Sequence, residues 1–314
     1  GPHTVGGVIN YITPTPPDEF GGTLQVAGGN RGFREAHAQV GDTLGKTGYI
    51  VTGTKKLSDG ARDNIELDLS DVTAKVTHEL NERHSFTFKS SYLREKSDVP
   101  YSGLTLAEYR ADPRANPFVN DEFELYRFGT SLSHRYAPAP NAVLTTSAYY
   151  SYFDRDWWRQ SSNSNERPND SSDPACGGMA NLLTTCGNQG RLRQYSTKGI
   201  EPRLTLTGTW FGLDGELRTG LRYHEEKQSR VQANGDTPTS RTPGTGRNAG
   251  VVEDQERFAD AAAGFVQATL SAGRFTVVPG VRYESIDFER RNLLNGAVGR
   301  TDLQQWIPGI GATW

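Results

Sequence analysis

Cys176 and Cys186 are the residues whose type and spacing point most directly to covalent chemistry, because they are the only two thiols in the chain and lie close together in a polar stretch. In a loop outside the cytoplasm, such a pair most simply closes a local disulfide that stiffens the loop. A metal site would need further ligands nearby, and the six histidines are scattered along the sequence. The nucleophile elbow Gly-x-Ser-x-Gly, the His-Glu-x-x-His zinc motif and a phosphate-binding glycine loop are all missing. The expectation is therefore a protein that is not an enzyme, with no catalytic residues, no metal ligands and no cofactor. The adjacent Trp157 and Trp158 fall just past a strand-like run, where aromatic rings mark a membrane interface or pack a loop; stacking on a ligand is the alternative. Lys and Arg total 34 against 37 Asp and Glu, so a net charge of −3 gives no reason to expect a nucleic-acid partner.

The elements that must position these residues are strands. A mean hydropathy of −0.64 and 34% hydrophobic residues leave no apolar run of the ~18 residues a membrane helix needs, and the plain reading of that is a soluble protein. Transmembrane β-barrels escape this test, because lipid-facing and lumen-facing residues alternate and each strand crosses in ~9–11 residues. About twelve strand-like runs recur, at 21–29, 33–44, 48–56, 65–78, 84–96, 123–136, 142–154, 195–209, 216–226, 258–270, 275–288 and 303–314. In the ninth, Leu217, Thr219, Leu221 and Tyr223 oppose Glu216, Arg218, Arg222 and His224. The sixth sets Tyr126, Phe128, Leu132 and Tyr136 against Arg127, Ser131, Ser133 and Arg135, and the eleventh sets Phe275, Val277, Val281 and Tyr283 against Thr276, Arg282 and Glu284. The fourth breaks phase: Ile65, Leu67 and Leu69 are odd but Val72, Ala74 and Val76 are even, which suggests a bulge near Ser70-Asp71.

Connections discriminate better than strands. Those at 45–47, 79–83, 137–141, 210–215 and 271–274 are short, whereas those at 57–64, 97–122, 155–194, 227–257 and 289–302 are mostly long and polar; only 30–32 breaks the parity. Alternation of short turns with long loops is what an antiparallel barrel gives when its two rims face different compartments. A soluble β-sandwich also has many short strands, but its loops need not segregate by parity.

The first seventeen residues read differently from the rest. Val8 to Ile12 is a strand-like run beside Gly6-Gly7, and Pro14, Pro16 and Pro17 cannot extend a ladder. The sequence Gly1-Pro-His-Thr-Val-Gly-Gly-Val-Ile-Asn-Tyr-Ile-Thr13 resembles the end of the plug domain of TonB-dependent outer-membrane receptors, specifically the ferric dicitrate receptor group. Three later segments are similar to the same family in order and spacing: Ser102-Gly-Leu-Thr-Leu-Ala-Glu-Tyr-Arg-Ala-Asp112, Gly199-Ile-Glu-Pro-Arg203 and Val278-Pro-Gly-Val-Arg-Tyr-Glu284. In the first of them, Thr105 and Glu108 have the spacing of a capping box for a short loop helix.

The resemblance implies residues 1–17 as the C-terminal end of a plug and 18–314 as the N-terminal part of an all-β, antiparallel transmembrane barrel with long extracellular loops, about the first twelve of ~22 strands. It implies a chain that is a piece of a longer protein, lacking the start of the plug and the segment that contacts TonB. The one methionine, Met179, and the lack of a signal peptide agree with that expectation. The alternation up to Trp314 resembles a terminal barrel strand and leaves a closed barrel of about twelve strands as an alternative.

Function follows as an expectation from the same resemblance: TonB-dependent uptake, at the bacterial outer membrane and among its lipids, of ferric citrate or another ferric siderophore. Alternatives are a TonB-dependent receptor for a different cargo, and a passive barrel or β-sandwich binding module. Iron enters only as its chelate, whose anionic oxygen shell calls for cations with fork geometry rather than metal ligands, and arginine supplies these. The family's mouth arginines match here at Arg155, in Tyr152-Phe-Asp-Arg-Asp156, and at Arg193, upstream of Gly199. A third has no secure counterpart, with Arg241 and Arg247 as candidates. The plain alternative for each is an arginine paired with a neighbouring carboxylate such as Asp154, Asp156 or Glu201.

Overall fold

A computed structural model describes residues 12–100, 103–116, 118–159, 189–210, 212–237, 239–246 and 249–314. Twelve antiparallel strands form one sheet in strict sequence order: β1 Gly21–Gly28, β2 Arg34–Leu44, β3 Thr47–Ser58, β4 Leu67–Asn81, β5 His84–Ser97, β6 Glu122–Ala139, β7 Ala142–Arg159, β8 Gln189–Trp210, β9 Leu213–Asn234, β10 Gly250–Ala272, β11 Phe275–Asn292 and β12 Val298–Thr313. A sandwich would need two packed sheets, and the described residues form one. β1 and β12 are not paired with each other, so the closed twelve-stranded alternative is not what forms. The one helix among the described residues, α1 Leu106–Ala111, carries the expected capping box, with Thr105 N–H donating to Glu108 Oε2 at 2.6 Å and Glu108 N–H to Thr105 Oγ1 at 3.3 Å.

Pleating sorts the side chains into two walls. Phe88, Leu132, Ala148, Ile200 and Tyr223 are direct partners across five strands, and of these Phe88, Leu132, Ile200 and Tyr223 are exposed apolar surface. The adjacent register row, Lys75, Lys89, Ser131, Tyr149, Gly199 and His224, faces the other way and is polar. An oily wall is thus backed by a wet one at one-residue spacing, the pattern of a sheet with lipid on one side and a water-filled lumen on the other. Tyr92, Tyr126 and Tyr152 form an aromatic ladder at the top of the oily band, with ring centroids 6.4 and 5.5 Å apart.

Around that ladder the outer wall turns ionic, with Arg94–Glu124 at 2.7 Å, Lys198–Glu225 at 2.6 Å and Lys227–Glu256 at 2.7 Å. This transition explains the phase break in β4 and corrects the expected bulge. The register of β4 with β3 and β5 runs unbroken through Ser70 and Asp71. Val72, Ala74 and Val76 face lipid, and above the band Asp68 and Ser70 take the outer wall while Leu67 and Leu69 turn inward.

The turns at one end are tight, with two residues between strands at Gly45-Lys46, Glu82-Arg83, Pro140-Asn141 and Gly273-Arg274. Gly45 and Gly273 adopt φ of 62° and 59°, as such turns demand. At the other end the strands climb beyond the band. β8, β9 and β10 are 22, 22 and 23 residues long, roughly twice the ~9–11 needed to cross, so their upper halves stand in water. The same extension shortens the connection after β11 to 293–297, a second exception to the loop parity.

A ring of arginines at the candidate ligand-binding mouth

Arg155 on β7, Arg193 on β8 and Arg230 on β9 stand directly opposite one another in a single register row on the inner wall. Antiparallel pairing separates such neighbours by only ~4.5–5.5 Å at Cα. One row lower, Gln228 faces Arg257 on β10, which in turn faces Arg290 on β11; one row higher, Arg191 faces Gln232. Among the described residues one carboxylate, Glu253, reaches into this group, 3.8 Å from Arg193 Nη2 and 3.3 Å from Arg230 Nε. Like charges at ~6 Å repel by roughly 3 kcal/mol at an effective dielectric of ~20, so Arg155, Arg193 and Arg230 outnumber the carboxylates among the described residues around them.

Burial sharpens the shortage. Arg193 is 5% exposed, and its Nη1 donates to the backbone oxygens of Val231 at 2.9 Å and Leu192 at 3.1 Å, which fixes the plane of the fork. Arg155 has no hydrogen-bond or ion-pair partner among the described residues; its Nε is buried and its guanidinium lies 6.0 Å from the Trp157 ring. The Nε of Arg257 is likewise buried without an acceptor. Lower on the inner wall, Arg203 has Glu201 at 2.6 Å and Arg282 has Glu284 at 2.7 Å, each two residues away on its own strand.

The plain alternative for Arg155 and Arg193 named Asp154, Asp156 and Glu201, and none of these pairs with them. Asp154 and Asp156 have the opposite parity and face outward, where Asp154 accepts from Tyr152 and Gln194 at 3.1 and 3.0 Å; Glu201 is held by Arg203. Arg241 takes no part in the ring. Its guanidinium donates to Asn120 O, Thr239 O, Ser240 O and Glu122 Oε1 at 2.9 to 3.3 Å, tying loop 235–249 to the segment before β6. The same loop is tied to itself by Asp236, whose carboxylate accepts from the backbone N–H of Thr245 and of Gly246, both at 2.8 Å; these bonds hold its pKa below the usual carboxylate value. Arg247, Cys176 and Cys186 lie outside the described residues.

Trp158 packs over Gly190, where an added Cβ would meet its ring at 2.8 Å, and Trp157 donates to Val99 O at 3.2 Å. Both tryptophans are loop and strand-end packing at the mouth rather than membrane girdle. Two of the scattered histidines do meet, His84 Nδ1 lying 2.9 Å from His134 Nε2 on the outer wall. No group of three or more metal-ligating side chains forms among the described residues.

The family model for a TonB-dependent receptor-like β-barrel matches residues 71–314. The chain belongs to the TonB-dependent receptor family. The matched residues are therefore part of an outer-membrane β-barrel. Solved TonB-dependent receptors share its fold at low identity. The unliganded ferric citrate transporter FecA superposes with a TM-score of 0.82 at 20% identity, over 99% of this chain and 44% of that one. For the closed form of the ferric-catecholate import receptor Fiu from E. coli K12, the values are 0.68 and 15%, over 98% and 49%. FpvA of P. aeruginosa bound to heterologous pyoverdines gives 0.73 and 13%, over 95% and 40%. The chain thus spans about half or less of the receptors it matches, and their different cargoes share one fold.

Sequence reasoning placed Arg155 and Arg193 but missed Arg230, Arg257 and Glu253. Their signal was present: the polar alternation of Arg222, His224 and Glu226 continues through Gln228, Arg230 and Gln232. It loses contrast there because the opposite face has also become polar.

Proposed function

We propose that this chain forms the opening part of a receptor wall that captures an anionic ferric chelate, ferric dicitrate or a related ferric polycarboxylate, for uptake energised through TonB. The observation that carries this reading is the row Arg155, Arg193 and Arg230, three adjacent guanidinium groups on the inner wall above the membrane with one carboxylate among them. A hydroxamate chelate carries little charge to meet such a row. A polycarboxylate presents several oxygens to planar forks, and charge-assisted bonds of that kind are roughly twice as strong as neutral ones.

We further assign residues 1–17 to the end of a plug lying inside the barrel and 18–314 to the barrel. In support, residues 13–17 run along the inner wall, where Lys75 Nζ donates to Thr13 O at 2.8 Å and to Pro14 O at 2.7 Å, and Thr43 Oγ1 donates to Pro17 O at 2.6 Å.

The test is equilibrium binding of ferric dicitrate, a neutral ferric trihydroxamate and a ferric catecholate to the full-length receptor in detergent. Ferric dicitrate is expected to bind best, and Arg155→Gln to weaken it about tenfold, the effect of losing one charge-assisted bond. Preferential binding of the hydroxamate or the catecholate would overturn the proposal.

A further inference from the structure

We infer that Glu253 is an internal counter-ion that an incoming ligand must displace, and that it restricts the mouth to chelates bearing several carboxylates. The inference rests on the anion-binding reading above and goes past it, by naming what already occupies the site and what that excludes.

Backbone geometry puts Glu253 there. β10 pairs with β9 through Val251↔Ala233 and then Glu253↔Gln232, so Val252 is an extra residue with no partner. From Arg257 through Gln255 to Glu253 the register is unbroken, so plain alternation keeps Glu253 on the inner wall, and the bulge re-aims only the residues beyond it. The result is a carboxylate set among arginines that would otherwise have no counter-charge.

Its attachment is loose. At 3.3 and 3.8 Å, Glu253 forms ion pairs with Arg230 and Arg193 but no hydrogen bond, and its side chain is 20% exposed toward the mouth. Three ion pairs of the outer wall, Arg94–Glu124, Lys198–Glu225 and Lys227–Glu256, close to 2.6 or 2.7 Å. Arg193, in contrast, is fixed by two backbone acceptors that do not depend on Glu253. The carboxylate can therefore leave without collapse of the fork it neutralises.

The consequence is selective. A ligand with one carboxylate exchanges one anion for another at Arg193 and Arg230 and recovers little of the entropy lost on binding. A ligand with two or more also fills the unpartnered buried Nε positions of Arg155 and Arg257, which Glu253 does not serve. Built-in competition of this sort rejects the wrong partner at some cost in affinity for the right one.

The test compares Glu253→Gln and Glu253→Asp with wild type in the full-length receptor, with heat-modifiable migration as the check on assembly. Glu253→Gln is expected to bind ferric dicitrate about tenfold more tightly, and an excess of acetate, inert toward wild type, is expected to compete in it. Glu253→Asp keeps the charge and is expected to keep the exclusion of acetate. If an assembled Glu253→Gln binds ferric dicitrate no better than wild type, Glu253 is a positioning residue and the inference is overturned. If wild type binds no anionic chelate at all, the underlying reading falls and the inference falls with it.

Discussion

The outer and inner walls of the upper strands carry similar numbers of charges but arrange them differently. Outside, cations have close anions: Arg94 with Glu124, Lys198 with Glu225, Lys227 with Glu256, and both Arg291 and Arg300 with Glu289. Inside, Arg155, Arg193, Arg230 and Arg257 surround Glu253 alone. The outer pairs are exposed, screened and exchangeable, so they give the wall solubility above the lipid. The inner excess is partly buried and uncompensated among the described residues, the state on which the proposed anion capture rests.

The contrast between walls can be broken most severely within the lipid band, where Val266 faces outward and its neighbour Gln267 faces the lumen. Val266→Arg is expected to abolish assembly into the outer membrane, since a cation at the bilayer midplane costs about 2–4 kcal/mol, whereas Gln267→Arg assembles normally. Heat-modifiable migration of the two variants reports the difference. At the mouth, the double variant Arg193→Gln, Arg230→Gln is expected to lose ferric dicitrate binding by at least about 100-fold with assembly intact, because two charge-assisted partners vanish together. The smallest effect is expected on the outer wall. Lys198→Gln removes a cation just as fully, yet is expected to change ferric dicitrate binding by less than about twofold. A large loss there, measured in the same titration, would remove the distinction between the walls.

The fold was legible in the sequence wherever the two walls differ in chemistry. β5, β6, β7 and β11 emerge with boundaries close to those read from alternation, because each stretch such as Phe86 to Tyr92 sets apolar against polar residues at alternate positions. The upper parts of β8, β9 and β10 were hidden for the opposite reason. Along Ser229, Arg230, Val231 and Gln232 both faces are wetted, so periodicity carries no contrast and the stretch reads as loop.

The candidate site straddles that boundary. Arg155 and Arg193 were reachable only through a resemblance to known receptors. Arg230 needed the knowledge that its strand continues to Asn234, and Glu253 the knowledge that β10 begins at Gly250, inside a stretch that reads as loop. The capping box of α1 was the easiest feature to read, because both its partners lie within four residues and no distant contact decides it.

The prolines before β1 sit in notches of the inner wall, with an added Cβ at Gly41 meeting Pro17 at 2.6 Å and one at Gly48 meeting Pro16 at 2.7 Å. Together with the grip of Lys75 on Thr13 and Pro14, these notches act as a cable clamp. Tension applied anywhere upstream is taken up sideways by β2, β3 and β4 before it reaches the eight residues of β1.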